Sequence, residues 1–202
     1  AALVDEFQDT DPRQWRIFER VFGVASGAPA LFVIGDPKQA IYGFRGGDVH
    51  AYVHAAGQAD ATPPLSHNFR SRPALLSAVA ALYANAGDTV SSAPDIRFRA
   101  VQPGGKRHDA DFLRAGASAP ALTLWQAPTP PPGENGKPGS WKAAVSHQLA
   151  TNACVAAIHG VLADARAGNA SIDGRPVQPG DIAVLVRTHR EATQVQLALA
   201  LA

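Results

Sequence analysis

The sequence predicts an α/β fold with mainly parallel sheets, and three observations predict it. Two apolar runs, LFVI at 31–34 and IAVLV at 182–186, are continuous rather than alternating, as in strands covered on both faces. Turn or cap residues follow each run, and a helical pattern comes after them. The stretches between repeat apolar residues at helical spacing, so short strands alternate with helices.

In chain order, ALV (2–4) is a strand end. Asp11 then caps a helix, with Pro12 at its first position and Gln14 completing a capping box. Trp15, Phe18 and Phe22 recur at i, i+3 and i+7 and predict one buried face. LFVI ends in Gly35-Asp36, and Asp48 caps a helix running to about Ala56. LSHNFRSRP (65–73) leads into a further helix, with Ser71 near its cap and Pro73 in its first turn; Leu75, Leu76, Val79, Leu82 and Tyr83 give it an apolar face. Residues 87–120 lack periodicity and read as a long connection. LTLWQ (122–126) reads as a strand, APTPPPGENGKPGS (127–140) as a mobile surface loop, and roughly 143–167 as a helix. Asp173-Gly174 and Pro179-Gly180 mark turns on either side of the run into IAVLV, and Thr188 with Glu191 forms a capping box for the last helix. There is no internal repeat.

Composition sets outer limits. The 202 residues can hold one or two domains, and 46% hydrophobic with 17% charged residues describes a globular protein. A net charge of +1 gives no bulk field that demands a nucleic-acid partner. Lysines are few, and Arg45, Arg70 and Arg72 sit beside unusual motifs, where a guanidinium fork suits phosphate. A single cysteine, Cys154, excludes an internal disulfide framework and fits a reducing, cytoplasmic location. No apolar run approaches membrane-span length and no signal-peptide pattern heads the sequence, so no membrane partner is expected. The first residue is not methionine, the sequence opens at a strand end and it closes in LALALA, which reads as a piece of a longer chain.

Three stretches hold the chemistry. DEFQDTDP (5–12) places carboxylates at a strand tip, where open α/β sheets bind ligands. In nucleotide hydrolases the first acid of such a pair holds Mg²⁺ and the second polarises the attacking water, here Asp5 and Glu6; the competing reading is a loop that only caps the next helix, which Asp11 does. GDPKQAIYGFRGGD (35–48) follows a second strand and brings Gln39 within reach of a terminal phosphate. Its Tyr42, Phe44 and Arg45 have the composition of a stacking platform for unpaired bases, against the reading of Tyr42 and Phe44 as core. HNFRSR (67–72) sets Phe69 and Arg70 before a helix, where an arginine can neutralise a transferring phosphoryl group or be an ordinary surface residue.

Together, in this order and spacing, DEFQDTDP, GDPKQAIYGFRGGD and NFRS resemble motifs II, III and IV of superfamily 1 helicases of the UvrD/Rep type. The wording GDPKQAIY-x-FRG is similar to the RecB and AddA branch, as is IAVLVRTHREATQVQLAL near the end. The resemblance implies partial RecA-like (P-loop NTPase) lobes of a two-lobe motor. Residues 1–64 would be the C-terminal part of the first lobe, and 65–202 the start of the second, with irregular insertions at about 87–142. It implies ATP and Mg²⁺ as cofactors and an ATP-dependent DNA helicase or translocase acting in double-strand-break repair. The implied partners are DNA, especially single-stranded, and RecC- and RecD-like subunits on the RecB side. By motif, Asp5 matches the Mg²⁺ ligand, Glu6 the catalytic base and Gln39 the γ-phosphate sensor. Tyr42 and Phe44 match the base-stacking aromatics, with tryptophan common in relatives at the second, and Arg45 lies in the same DNA-facing loop. Phe69 matches the residue packed on adenine, commonly tyrosine, and Arg70 the γ-phosphate arginine.

No G-x-x-x-x-G-K-[ST] occurs in the sequence: neither Gly104-Gly105-Lys106-Arg107 nor Gly136-Lys137-Pro138 satisfies it. The resemblance puts that loop upstream of residue 1, so the isolated piece is expected to be inactive. His50 and His54 stand at i, i+4 like a zinc pair, yet Ala51 replaces the glutamate of H-E-x-x-H and no third ligand is apparent, which favours a structural role. Two other classes remain, a binding or interaction module and an unrelated P-loop ATPase; the aromatic-arginine loop counts against the second.

Overall fold

A computed structural model describes residues 1–23, 30–87, 96–133 and 137–202. The expectations for 88–95 within the long connection and for 134–136 within the proline-rich loop lie outside the described residues. The chain divides into two compact units, Ala1–Ser66 with Ala80–Val101 and His67–Val79 with Gln102–Ala202.

In the first unit, β1 (Ala2–Val4) pairs in parallel with β2 (Leu31–Val33), Ala2 opposite Leu31 and Val4 opposite Val33. Helix α1 (Pro12–Phe22) connects towards β2, and its cap is the expected one. Asp11 Oδ1 accepts the amides of Arg13 at 2.7 Å and Gln14 at 2.9 Å, and Gln14 Oε1 accepts the amide of Asp11 at 3.0 Å. Helix α2 (Val49–Gln58) starts where Asp48 accepts the amide of His50 at 2.9 Å and runs two residues past Ala56. Its small residues Ala51 and Ala55 are buried, which lets α2 approach the 3-10 turn Phe7–Asp9 closely. Phe7 fills the middle of the unit, with the Trp15 ring edge-on at 5.5 Å and the Tyr52 ring at 6.2 Å.

Two expectations need correction in this unit. Trp15, Phe18 and Phe22 are half-buried rather than buried. The 31–34 run is covered on one face only: Phe32 is 57% exposed, and its neighbour Leu3 across the pair is 68% exposed. An apolar run expresses a preference for burial, but coverage of both faces needs an element on each side.

In the second unit, β3 (His67–Asn68) pairs in parallel with β4 (Gln102–Pro103). A four-stranded antiparallel sheet follows in the order β6-β5-β7-β8, from β5 (Phe112–Arg114), β6 (Ala117–Ser118), β7 (Ala170–Ile172) and β8 (Arg175–Pro176). The largest sheet is therefore antiparallel, and three of its unit's strands lie in what reads from sequence as an irregular connection. Strands of two or three residues are too short to print an alternating pattern. The Asp173-Gly174 turn is where the sequence puts it, with φ of 49° and 77° closing the β7–β8 hairpin.

Helix α4 (Ala143–Arg166) packs on β7 and on α5 (His189–Leu201). Ala165, Ala170 and Val177 form the core there, with Phe112, Val161, Ile172 and Ile182 against them, and Arg114 Nε meets Asp164 Oδ2 at 2.6 Å to pin β5 to α4. Thr188 and Glu191 cap α5 as expected. The strands expected at 122–126 and 182–186 do not form: among the described residues nothing pairs with them, and Leu185 is 96% exposed. Only Ile182 of that run reaches the core. Helix α3 (Pro73–Ala86) starts two residues after Ser71 with Pro73 in its first turn, as expected. Asp109 Oδ1, 35 residues on, accepts the amide of Ala74 at 2.8 Å, while Asn68 Oδ1 accepts those of Arg70 and Ser71. Among the described residues no helix is long and apolar enough to cross a membrane.

Asp181 offers a direct check on this unit. Arg175 grips it with two hydrogen bonds of 2.6 Å and the amide of Gln178 adds a third, which lowers its carboxyl from 3.8 to about 2. A depressed carboxyl contributes stability that is present above its ordinary range and is lost as pH falls through the folded value. NMR titration should place the Asp181 midpoint near 2, and Arg175→Gln should return it towards 3.8.

Candidate functional site

Parallel pairing of β1 and β2 brings their carboxyl ends to one edge. Two backbone bonds fix the exits: Ile34 N–H donates to Val4 O at 2.8 Å and Phe7 N–H to Ile34 O at 2.9 Å. Asp5 and Glu6 emerge there, both exposed, with the amide of Glu6 on Asp5 Oδ1 at 2.9 Å. Glu6 has φ 51° and ψ 40°, the left-handed region, which costs a residue with a Cβ roughly 1–2 kcal/mol. Its surroundings hold it there: Phe7 beside it is 1% exposed, and the carbonyl of Glu6 accepts the amide of Asp9 at 3.1 Å.

Gln8, 2% exposed, lies between the two strand-end loops. Its Nε2 donates to Glu6 Oε2 at 2.6 Å and its Oε1 accepts the amide of Asp36 at 3.0 Å. Asp36 in turn accepts the Lys38 amide at 3.0 Å, Lys38 Nζ at 2.6 Å and Gln39 Nε2 at 3.2 Å. Burial pushes the Asp36 carboxyl up, but these bonds from Lys38 and Gln39 outweigh it and hold the carboxyl below its ordinary value. Gln39 ends the 3-10 turn Pro37–Gln39 and is exposed. Glu6, Gln8, Asp36 and Gln39 thus form one hydrogen-bonded series across both loops.

The donor set at this edge fits Mg²⁺ with a nucleotide. Mg²⁺ prefers one or two carboxylates and completes its shell with phosphate oxygens and water. An exposed Asp5 suits that better than a protein cage would, and among the described residues no group of three or more His, Cys, Asp or Glu is placed to hold a metal.

The aromatic loop follows directly. Gly43–Arg45 is a 3-10 turn, and the amide of Gly47 donates to Tyr42 O at 3.2 Å. The amide of Asp48 donates to Thr10 O at 3.2 Å, tying the loop back to the segment that contains Gln8. The Tyr42 and Phe44 rings lie 5.9 Å apart at 43°, and Phe44 is 79% exposed, so it is not core. Phe69 and Arg70 belong to the second unit. The half-exposed Phe69 ring lies against the backbone of Gly104, where any Cβ would overlap it, and Lys106 Nζ sits 5.6 Å from its centroid. Arg70 is exposed. Asp5, Glu6, Gln39, Tyr42, Phe44 and Arg45 share the first unit.

Gln8, Asp36 and Lys106 were not among the residues singled out from sequence. Gln8 had one legible signal, an uncharged polar residue directly after the apolar Phe7, just past the strand exit. The Asp36 carboxylate caps its own turn locally, but the bond from the Asp36 amide to Gln8 and the place of Lys106 over the Phe69 ring depend on loop path, which no local pattern reports.

Residues 1–60 match the model of the UvrD/REP helicase N-terminal domain. Over that stretch the chain is similar to the UvrD/REP helicase family. Within it the similarity is to RecB: the chain is 37% identical over 99% of its length to RecBCD enzyme subunit RecB of Escherichia coli K12. It is 42% identical over 98% to that of Mycobacterium tuberculosis and 36% identical over 98% to that of Mycolicibacterium smegmatis. It spans only 16–17% of the length of these relatives.

Gly35 is the tightest point of the site. A Cβ there would lie 2.7 Å from Gln8 Oε1, 3.1 Å from Gln8 N and 3.2 Å from Phe7 N, two of them backbone atoms that cannot swing aside. Gly35→Ala should destabilise the protein by about 1–3 kcal/mol, as overpacking does, measured by urea unfolding.

Proposed function

We propose that this chain is the part of a RecB-like, ATP-dependent DNA helicase that couples the end of one RecA-like lobe to the start of the next, with residues 1–64 in the first and 65–202 in the second. The observation that supports it best is the single hydrogen-bonded series from Glu6 through Asp36 to Gln39, with an exposed aromatic loop tied to the same segment. An acid pair alone fits many loops. An acid pair bridged to a glutamine turn and a base-stacking loop fits a motor that links phosphate chemistry to DNA.

ATP with Mg²⁺, when bound, supplies the phosphoryl bond whose hydrolysis drives translocation. Asp5 offers the carboxylate that holds the ion, and Glu6 accepts a proton from the attacking water. Gln39 reads the terminal phosphate from its exposed turn, and Phe69 packs on the adenine. Arg70 offsets negative charge at the transferring group. Tyr42 and Phe44 stack on unpaired bases, with Arg45 beside the backbone. The whole protein acts on DNA in double-strand-break repair, in the cytoplasm, with RecC- and RecD-like partner subunits.

In the full-length protein, Glu6→Gln should lower DNA-stimulated ATP turnover by about 10²–10⁴-fold while nucleotide affinity changes little, because a base is lost and the ion ligand kept. Near-normal turnover in Glu6→Gln would contradict the assignment. Tyr42→Ala and Phe44→Ala should each weaken single-stranded DNA binding by about 1–3 kcal/mol with little sequence dependence, and DNA titration checks this. Melting temperatures should stay close to wild type; a large drop with unchanged DNA affinity would assign both rings to packing. The 202-residue chain alone, lacking G-x-x-x-x-G-K-[ST], should hydrolyse ATP only at background rate.

A further inference from the structure

Gln8 is a side chain with both ends engaged at the site and no solvent around it. At 2% exposure, burying its amide without partners would cost about 1–3 kcal/mol, and it has one partner for each end. The partners come from different strands. One is the Glu6 carboxylate at 2.6 Å, a charge-assisted bond shorter than an ordinary amide contact. The other is the amide of Asp36 at 3.0 Å, the residue whose carboxylate organises Lys38 and Gln39. Burial confines Gln8 as well: it is 2% exposed, and its Oε1 lies so near Gly35 that a Cβ there would come within 2.7 Å of it.

We propose that Gln8 is a positioning residue that clamps the Glu6 carboxylate in its working orientation and, through the Asp36 amide, ties that orientation to the position of the Gln39 turn. The role rests on the helicase reading above. The left-handed backbone of Glu6 gives the clamp a purpose. The residue emerges from the strand at an angle that only the local fold maintains, and an exposed glutamate has several rotamers of similar energy. One short bond from a rigid donor selects among them. Since the same amide group also holds Asp36, a shift of the Gln39 turn is felt at Glu6 without any direct contact between the two.

Two variants of the full-length protein separate the halves of the bridge. Gln8→Met keeps the volume and removes both bonds. Gln8→Glu keeps an acceptor for the Asp36 amide and sets a second carboxylate against Glu6 in place of the donor. In nucleotide-free protein, hydrogen exchange at the Asp36 amide should speed up about tenfold or more in Gln8→Met and stay near wild type in Gln8→Glu. Both variants should lose about ten- to hundredfold in kcat for ATP, with KM within about threefold, because an interaction acting at the chemical step is removed rather than one that binds substrate. The exchange arm would be decided even if Gln8→Met failed to fold, since Gln8→Glu must then retain protection and still lose turnover. Wild-type kcat in Gln8→Glu, or unchanged Asp36 exchange in Gln8→Met, would overturn the proposal. A wild-type protein with no DNA-stimulated ATP turnover overturns the helicase reading itself, and the role in turnover falls with it. The exchange result then reports only whether the bridge exists.

Discussion

The parallel register of β1 and β2 is the constraint on which the first unit depends. With Val4 opposite Val33, both chains leave the sheet at the same edge, and side chains from segments 28 residues apart can meet there. An antiparallel pair would send the two exits to opposite ends, and Glu6 and Asp36 would leave the sheet on different edges. Everything further follows from that edge. Phe7 turns into the core and anchors the exit of β1, Gln8 fills the gap between loops, and Gly35 exists because that gap has no space for a methyl group.

The edge also explains why polar groups are buried in so small a core. Gln8 is nearly inaccessible, yet its side chain bonds the Asp36 loop, and the backbone carbonyl of the buried Thr10 accepts the amide of Asp48. A network of this kind stabilises only when every member is satisfied, and it then specifies one arrangement of the loops. The second unit solves a different problem with similar means. Arg72, a neighbour of Arg70, donates to the carbonyls of Asp109, Ala119 and Pro120 and lies over the Phe112 ring at 5.6 Å. It fastens the antiparallel sheet to the start of α3, a structural task, although its place in the sequence suggests phosphate binding.

Much of the candidate site was legible because its residues sit in short, contiguous words. The Asp11, Asp48 and Thr188 caps are local chemistry over three or four residues, and all three stand as read. What failed depended on partners distant in sequence. The strands β4, β5 and β6 are too short to show a period, and among the described residues the IAVLV run finds no neighbour to pair with. Gln8 is hidden from local sequence patterns for a related reason. Its importance lies in joining two words that sequence presents separately, and only the register of β1 on β2 makes them adjacent.

The central claim is that this edge is the nucleotide-hydrolysing end of a DNA motor. A structure of the full-length protein bound to ADP, Mg²⁺ and a metal fluoride mimic of the transferring phosphate would test it most directly. The account predicts Asp5 at the ion, Glu6 within hydrogen-bond reach of the attacking water, Gln39 on the phosphate mimic, and Gln8 still bonded to both Glu6 and the Asp36 amide. A nucleotide bound away from the ends of β1 and β2, or Glu6 turned out of reach of the mimic with the Gln8 bond intact, would contradict it.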